Sequence, residues 1–246
     1  MERDRRAVVA TFFADRVPEA GGEAELGEDA AHHIRVRRLV LGTPVAITNG
    51  RGRRAAGALS AVAKSRASVA VSEAWEVPAP PAVHLLAPVG DRERMLWLAE
   101  KGTELGLASW RPVLWRRSAS VTPRGSGDAF AAKVRARMVA ALEQSGGAWL
   151  PELRAELRGD ALVPSLEEGG VRILLDAGGA PILGAALREP ITIALGPEGG
   201  LEADEVDALT RAGFTTAALG GNILRFETAG VAALAVVLAA IAADAA

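Results

Sequence analysis

The stretch ITIALGPEGGLEADEVDALTRAGFTTAALGGNILRFETA, Ile191–Ala229, decides the fold. Ile191–Leu195 is a short aliphatic run closed by a glycine-rich turn, which reads as a buried strand. A short helix, a second strand at Thr215–Leu219 and a second polar turn follow, and that turn opens a long apolar helix. Turns of this kind, at the C-terminal ends of parallel strands, are where open α/β sheets bind nucleotide-like ligands. Gly196, Gly199 and Gly200 let backbone come close to a ligand, since no Cβ intervenes. Pro197 stiffens the loop, and Glu202, Asp204 and Glu205 suit the positive end of a helix first turn. No lysine follows, which argues against a phosphate-cradling P-loop. A neutral or cationic ligand held by backbone groups fits better.

Working outward, 246 residues hold one large domain or two unequal ones, and 50% hydrophobic with 24% charged residues is the composition of a soluble globular enzyme. The absence of cysteine excludes disulfides and thiolate metal ligands, and three histidines argue against a histidine-rich metal site. No charged-then-apolar leader opens the chain, so a cytoplasmic protein is expected. The apolar run Ala229–Ala243 is shorter than the roughly 20 residues of a membrane span, and reads as a buried core helix. The net charge of −2 hides an asymmetry. Between Ala30 and Ser72 there is no acid, yet Arg35, Arg37, Arg38, Arg51, Arg53, Arg54, Lys64 and Arg66 all fall there. A second basic stretch includes Arg111, Arg116, Arg117, Arg124, Lys133, Arg135 and Arg137, and acids dominate from Leu150 to Thr210. Local basic surface on an acidic background points to a polyanion such as nucleic acid.

The N-terminal part alternates short strands with turns: Val45–Thr48, Asn49–Gly50, Ala55–Ala61, Ala67–Val71. That spacing predicts a small β-barrel or sandwich. Pro78, Pro80 and Pro81 make a stiff linker, which places domains at 1–77 and 82–246. Beyond it, strands at Val83–Ala87, Pro112–Trp115, Val171–Leu175, Ile191–Leu195 and Thr215–Leu219 alternate with helices, the pattern of a parallel α/β sheet. Arg92–Gly106 is predicted as a helix burying Met95, Leu98, Ala99, Gly102 and Leu105. A helix capped by Asp128 buries Phe130, Val134, Met138, Ala141 and Leu142.

Several enzyme classes fall away: there is no G-x-S-x-G elbow, H-E-x-x-H, G-x-G-x-x-G or Walker lysine. His32 and His33 are adjacent, so their side chains diverge and do not share a metal. Motifs then coincide along the whole chain: TFFAD at Thr11–Asp15, HHIRVRRLVLG at His32–Gly42, EKGTELGL at Glu100–Leu107, EQSGGAWLPEL at Glu143–Leu153, GPEGG at Gly196–Gly200 and LGGNILRFETA at Leu219–Ala229. This set closely resembles the RsmE family of bacterial 16S rRNA uridine N3-methyltransferases, in the SPOUT superfamily.

The resemblance implies an N-terminal PUA-like β-barrel for RNA, a C-terminal α/β domain with a trefoil knot, S-adenosylmethionine as cofactor, no metal, no membrane, and a homodimer acting on 16S rRNA or the small ribosomal subunit. By matching position, Gly196, Pro197, Glu198, Gly199 and Gly200 with Leu219, Gly220, Asn222, Ile223, Leu224 and Arg225 wrap the cofactor, and Leu175 at its strand end supplies a third wall. Adenine suits backbone N–H and C=O groups between aliphatic walls. Uridine N3 is a poor nucleophile until its proton leaves, so a base or an anion stabiliser is required, and the uracil must be flipped out. Candidate helpers are Arg225, Glu198, Glu227 and Glu104, with the base unassigned. Arg225, amid Ile223, Leu224 and Phe226, needs an acceptor, either Glu227 or Glu198 in an ion pair or the target uracil. Arg35, Arg37, Arg38, Arg51 and Arg53 of the barrel would bind phosphates. Lys101, Glu143 and Gln144 fall at the RNA-facing cleft or the dimer contact, with a helical salt pair Lys101–Glu104 as the alternative. Gly147 and Asn222 stand where arginine is usual, Phe226 where threonine is, and Glu100 where glutamine is; the basic loop Arg116, Arg117 and Arg124 compensates for the missing cations. The alternatives are a SPOUT methyltransferase for another RNA or a ribose 2′-oxygen, and a non-catalytic RNA-binding assembly protein, which the intact loops count against.

Overall fold

The structure, a computed structural model, describes residues 8–120, 125–166, 168–184 and 186–244. It divides into two compact units, Met1–Ala79 with Val139–Leu150, and Pro80–Met138 with Pro151–Ala246.

The first unit is a five-stranded curled sheet in the order β1-β3-β4-β5-β2. Its strands are β1 (Thr11–Phe13), β2 (Glu23–Leu26), β3 (Pro44–Thr48), β4 (Arg53–Val62) and β5 (Ala67–Glu76). Asn49 and Gly50 make the β3–β4 turn: Asn49 Oδ1 accepts from the Arg51 and Arg53 N–H groups at 2.8 and 3.1 Å, while Gly50 takes φ +67°. Phe12, Leu26, Val45, Ile47, Leu59 and Val69 fill the core. Helix α1 (Glu28–Val36) interrupts this β unit, which the strand-and-turn reading did not anticipate. Glu28 and Asp29 meet its positive end, and Ala30, Ala31 and Ile34 form the buried stripe. The residues 139–150 join the same unit, where Glu143 Oε1 accepts the Phe13 N–H at 2.7 Å and Trp149 Nε1 donates to Val77 O at 2.9 Å.

The second unit alternates strands and helices. In chain order it contains β6 (Val83–Pro88), α2 (Arg92–Leu105), β7 (Ser109–Leu114), α3 (Asp128–Ser145, whose last turns belong to the first unit), β8 (Glu152–Leu153), β9 (Leu157–Arg158) and α4 (Gly159–Leu162). Then come β10 (Val171–Pro181), β11 (Ile191–Leu195), α5 (Ala203–Arg211), β12 (Phe214–Ala218) and α6 (Phe226–Asp244). The strands form a seven-stranded parallel sheet, β12-β10-β11-β6-β7-β8, with β9 also on β7. Covered on both faces, such strands carry continuous rather than alternating apolar residues, as Ile191, Ile193, Ala194 and Leu195 do.

Four expectations need correction. Strand β7 runs Ser109–Leu114 rather than Pro112–Trp115, because its parallel register to β6 begins at Ser109. Leu105 is 37% exposed, since α2 ends there and Gly106 turns the chain with φ +85°. Strand β10 does not stop at Leu175: after its last pair with β11 it bulges and continues beside β12 to Pro181, where a Cβ on Gly179 would meet Ala217 at 2.6 Å. The apolar C-terminal helix is not simply a core helix. It reaches 19 residues, and only 33% of its most apolar window is buried.

Candidate functional site

Parallel register puts three strand ends side by side. Leu175 is paired with Leu195 on one flank and with Ala217 on the other. The turn after Leu195 is Gly196–Leu201 and the turn after Ala218 is Leu219–Arg225, so both glycine-bearing turns open at the same sheet edge as Leu175.

The first turn is braced from several sides. Gly200 takes φ +74° and its N–H bonds Pro197 O at 2.8 Å, which closes the loop. Glu202 and Glu205 then form a capping box that starts α5. Trp115, fully buried, donates its indole N–H to Leu195 O at 2.9 Å, at the point where β11 ends. Arg117 lies across the turn, donating to Gly199 O at 2.5 Å and to both oxygens of Glu202 at 2.9 and 3.1 Å. A Cβ on Gly199 would press on the Arg117 side chain at 3.3 Å. The Arg116 backbone N–H bonds the buried Glu205 at 3.0 Å, and its guanidinium pairs with Asp204, whose carboxyl is thereby held below the usual range.

The second turn is open. Among the described residues, the backbone groups of Gly220–Leu224 bond no other part of the chain. Ile223 is 91% exposed and Leu224 40%. Arg225 is exposed and has no ion pair among the described residues, so of its two alternatives the pairing with Glu198 or Glu227 is not formed. Arg94 of the α2 first turn takes both carboxylates instead, Glu198 at 2.6 Å and Glu227 at 3.9 Å. Phe226 packs its ring against Gly90, where a Cβ would sit at 2.8 Å.

Glu104 is not brought to this edge. It lies ten residues beyond Arg94 on α2, about 15 Å along the axis, and pairs with Lys101 at 2.8 Å. Lys101 also reaches Glu100 at 2.9 Å, and Glu100 pairs with Arg137. The two carboxylates hold the Lys101 ammonium above its ordinary range, Glu104 foremost. So the helical salt pair is what this segment makes in the chain.

Of the barrel arginines, Arg35, Arg37 and Arg38 are exposed without an ion pair among the described residues. Arg51 donates to Asp15 O at 3.1 Å, and Arg53 is held between Glu19 and Glu76, which occupies its guanidinium internally. Arg124 lies outside the described residues. The first unit carries a groove of about 2580 Å³ lined by His33, Arg37, Arg54, Trp75, Glu143 and Gln144, among others. Arg54 stacks its guanidinium 5.7 Å from the Trp75 ring centroid. Burial pushes the Glu143 carboxyl up and the His33 imidazole down. Gly147 packs against Leu142, which a Cβ would meet at 2.7 Å. No group of three or more His, Asp or Glu that could hold a metal occurs among the described residues.

Sequence reasoning missed Arg94 and Trp115. Their partners lie 104 and 80 residues away, and no local pattern reports such a pairing.

Residues 77–238 match the family model described as an RNA methyltransferase domain, and residues 26–72 match that of an RNA methyltransferase PUA domain. The chain is 30% identical to the ribosomal RNA small subunit methyltransferase E of Bacillus subtilis, over 90% of this chain and 91% of that protein. It is 28% identical to that of Mycobacterium bovis, over 94% and 91%. Among solved structures, the ribosomal RNA small subunit methyltransferase E of Neisseria gonorrhoeae bound to S-adenosyl methionine superposes with a TM-score of 0.83, at 23% identity over 92% and 95% of the two chains. A putative methyltransferase of Legionella pneumophila, in complex with the same cofactor, gives 0.82 at 26% identity over 94% and 97%.

Proposed function

The chain belongs to the ribosomal RNA small subunit methyltransferase E family, and on that premise we propose that it transfers a methyl group from S-adenosylmethionine to N3 of a uridine in 16S rRNA. The observation that carries this reading is the convergence of Leu175, Gly196–Gly200 and Leu219–Arg225 at one sheet edge. The residues there fit the donor. Free backbone groups at Gly220–Leu224 suit the edge of an adenine, and the exposed Ile223 and Leu224 supply apolar walls. Among the described residues the cations at these turns are mostly neutralised, Arg94 by Glu198 and Glu227, Arg116 by Asp204 and Arg117 by Glu202, which leaves Arg225 without a carboxylate partner.

The donor supplies a methyl carbon on a positively charged sulfur. The C–N3 bond forms as the S–C bond breaks, and the N3 proton leaves. Arg225, exposed and without an internal acceptor, stabilises the negative charge that develops on the uracil. Glu198 and Glu227, which flank the two turns, are the carboxylates proposed to receive the proton. The first domain, 1–77, binds RNA through Arg35, Arg37 and Arg38, which are free to meet phosphates. Arg51, Arg116 and Arg117 reach RNA only by exchanging their internal acceptors, and Lys101 only by leaving Glu100 and Glu104.

A second copy of the chain covers the exposed face of α6. This helix packs one side on α2, β6 and β11, and its other side is alanine-rich and uncharged; α2 also carries the half-exposed Trp97 and Leu105. The chain returns from β12, at the sheet edge, across β10 to seat α6 on the centre of the sheet, beside the turn Ile182–Gly184. That return supports the reading of a trefoil knot. The protein acts in the cytoplasm, on the small subunit or its RNA.

Calorimetry with S-adenosylmethionine, followed by mass spectrometry of 16S rRNA from a deletion strain, tests the reading. Saturable binding and loss of one N3-methyluridine are expected. An unchanged nucleoside profile would overturn it.

A further inference from the structure

Arg94 reaches both cofactor-side elements. Its Nη1 bonds Glu198 in the first turn at 2.6 Å, and its Nε stands 3.9 Å from Glu227 in the first turn of α6, directly after the second loop. Its own backbone is fixed, because Asp91 caps α2 by accepting from the Glu93 and Arg94 N–H groups at 3.1 Å. Glu227 is 8% exposed, and its Oε2 is buried with no hydrogen-bond partner among the described residues. The cation nearest to that carboxylate in the chain is Arg94. The 2.6 Å contact is tight and the 3.9 Å contact is loose, so the guanidinium is divided between two acceptors on two separate loops.

We propose that Arg94 is a positioning residue that holds the two turns in register with one another, so that they close on the methyl donor as one pocket. This rests on the methyltransferase reading only for the identity of the ligand; the mechanical tie belongs to the chain itself. Arginine suits the task because its planar fork offers separate N–H groups to two carboxylates, whereas an ammonium is a single point charge. The turns share no direct bond among the described residues; the first is braced by Trp115, Arg117 and the α5 capping box, while the second bonds nothing else through its backbone, so Arg94 ties the open turn to the braced one.

The test uses the full chain and two independent readouts. Amide hydrogen exchange without ligand should show the bonded amides at the two turns, Gly200 and Glu202 at the first and Ala229 after the second, exchanging faster together in Arg94→Gln, with β3–β5 of the first unit unchanged. Methyl-donor titration should show Kd and KM for S-adenosylmethionine rising roughly tenfold while kcat at saturation stays within about twofold. Arg94→Lys should recover only part of the loss. In a double-mutant cycle with Glu198→Gln, the pair should lose little more than either single variant. Should Arg94→Gln fold poorly because Glu227 is left uncompensated, Arg94→Met with Glu227→Gln removes the buried charge while still cutting the tie, and its loops should still exchange fast. Exchange of the two segments unchanged in the variants overturns the proposal, as does additivity in the cycle. Wild-type protein that fails to bind the donor overturns the methyltransferase reading instead, and leaves the exchange experiment to decide the tie.

Discussion

Arg225 and Glu143 illustrate how a single side chain divides between folding and function. The Arg225 side chain makes no hydrogen bond or ion pair among the described residues, so truncating it leaves the fold alone. Arg225→Ala is expected to lower kcat by about 10²–10³-fold, the magnitude of removing one transition-state charge stabiliser, with an unchanged melting temperature; wild-type turnover in that variant would remove Arg225 from the chemistry. Glu143 behaves in the opposite way. Burial raises its carboxyl, only partly offset by the Phe13 N–H bond. A folded pKa above the unfolded one means the stability present at low pH is lost as pH rises through the folded value. Glu143→Gln keeps an acceptor for Phe13, so it should melt higher than the natural protein at pH 8, with the gap closing toward about pH 4. Melts across that range check it, and a gap constant with pH would show that Glu143 titrates as it does in the unfolded chain.

Among the elements, the glycine turn carries the clearest local requirement. Gly200 sits at φ +74°, a conformation that costs an L-residue about 1–2 kcal/mol. Gly200→Ala should therefore lower stability by that order in chemical denaturation and weaken donor binding as well; a variant as stable as the parent would mean the turn relaxes freely. This turn was legible beforehand, since glycine, proline and acidic residues at those offsets permit little else. The strap formed by Trp115, Arg116 and Arg117 was not. A basic loop looks like a polyanion surface in the sequence, yet here its charges meet Asp204 and Glu202 because β7 delivers it to the end of β11. Helix α1 escaped for a related reason: a short helix inside a β unit has too few turns to display its period.

For the whole molecule, the exposed side of α6 has the largest consequence. On the proposal that a second copy buries it, the protein should run as a dimer in light scattering, and Ala239→Arg on the exposed face should give a folded monomer with the same circular dichroism. A dimer persisting in that variant would place the contact elsewhere. Donor binding should also raise the melting temperature, by the equivalent of about 2.7 kcal/mol at a hundredfold excess over Kd.

Residue order alone determined the parallel sheet, the two glycine turns and the buried stripe of α3, because period, turn chemistry and apolar spacing are local physics. The resemblance of its motifs to the RsmE family, rather than local physics, put Leu175, Gly196–Gly200 and Leu219–Arg225 among the expected cofactor contacts. Only the tertiary structure decided which charges are free. Arg94 rather than Arg225 holds Glu198 and Glu227, Arg53 is spent on Glu19 and Glu76, and Glu104 sits at the far end of its helix. Ion pairs join residues that strand order brings together from a hundred positions apart, and no local pattern encodes that meeting.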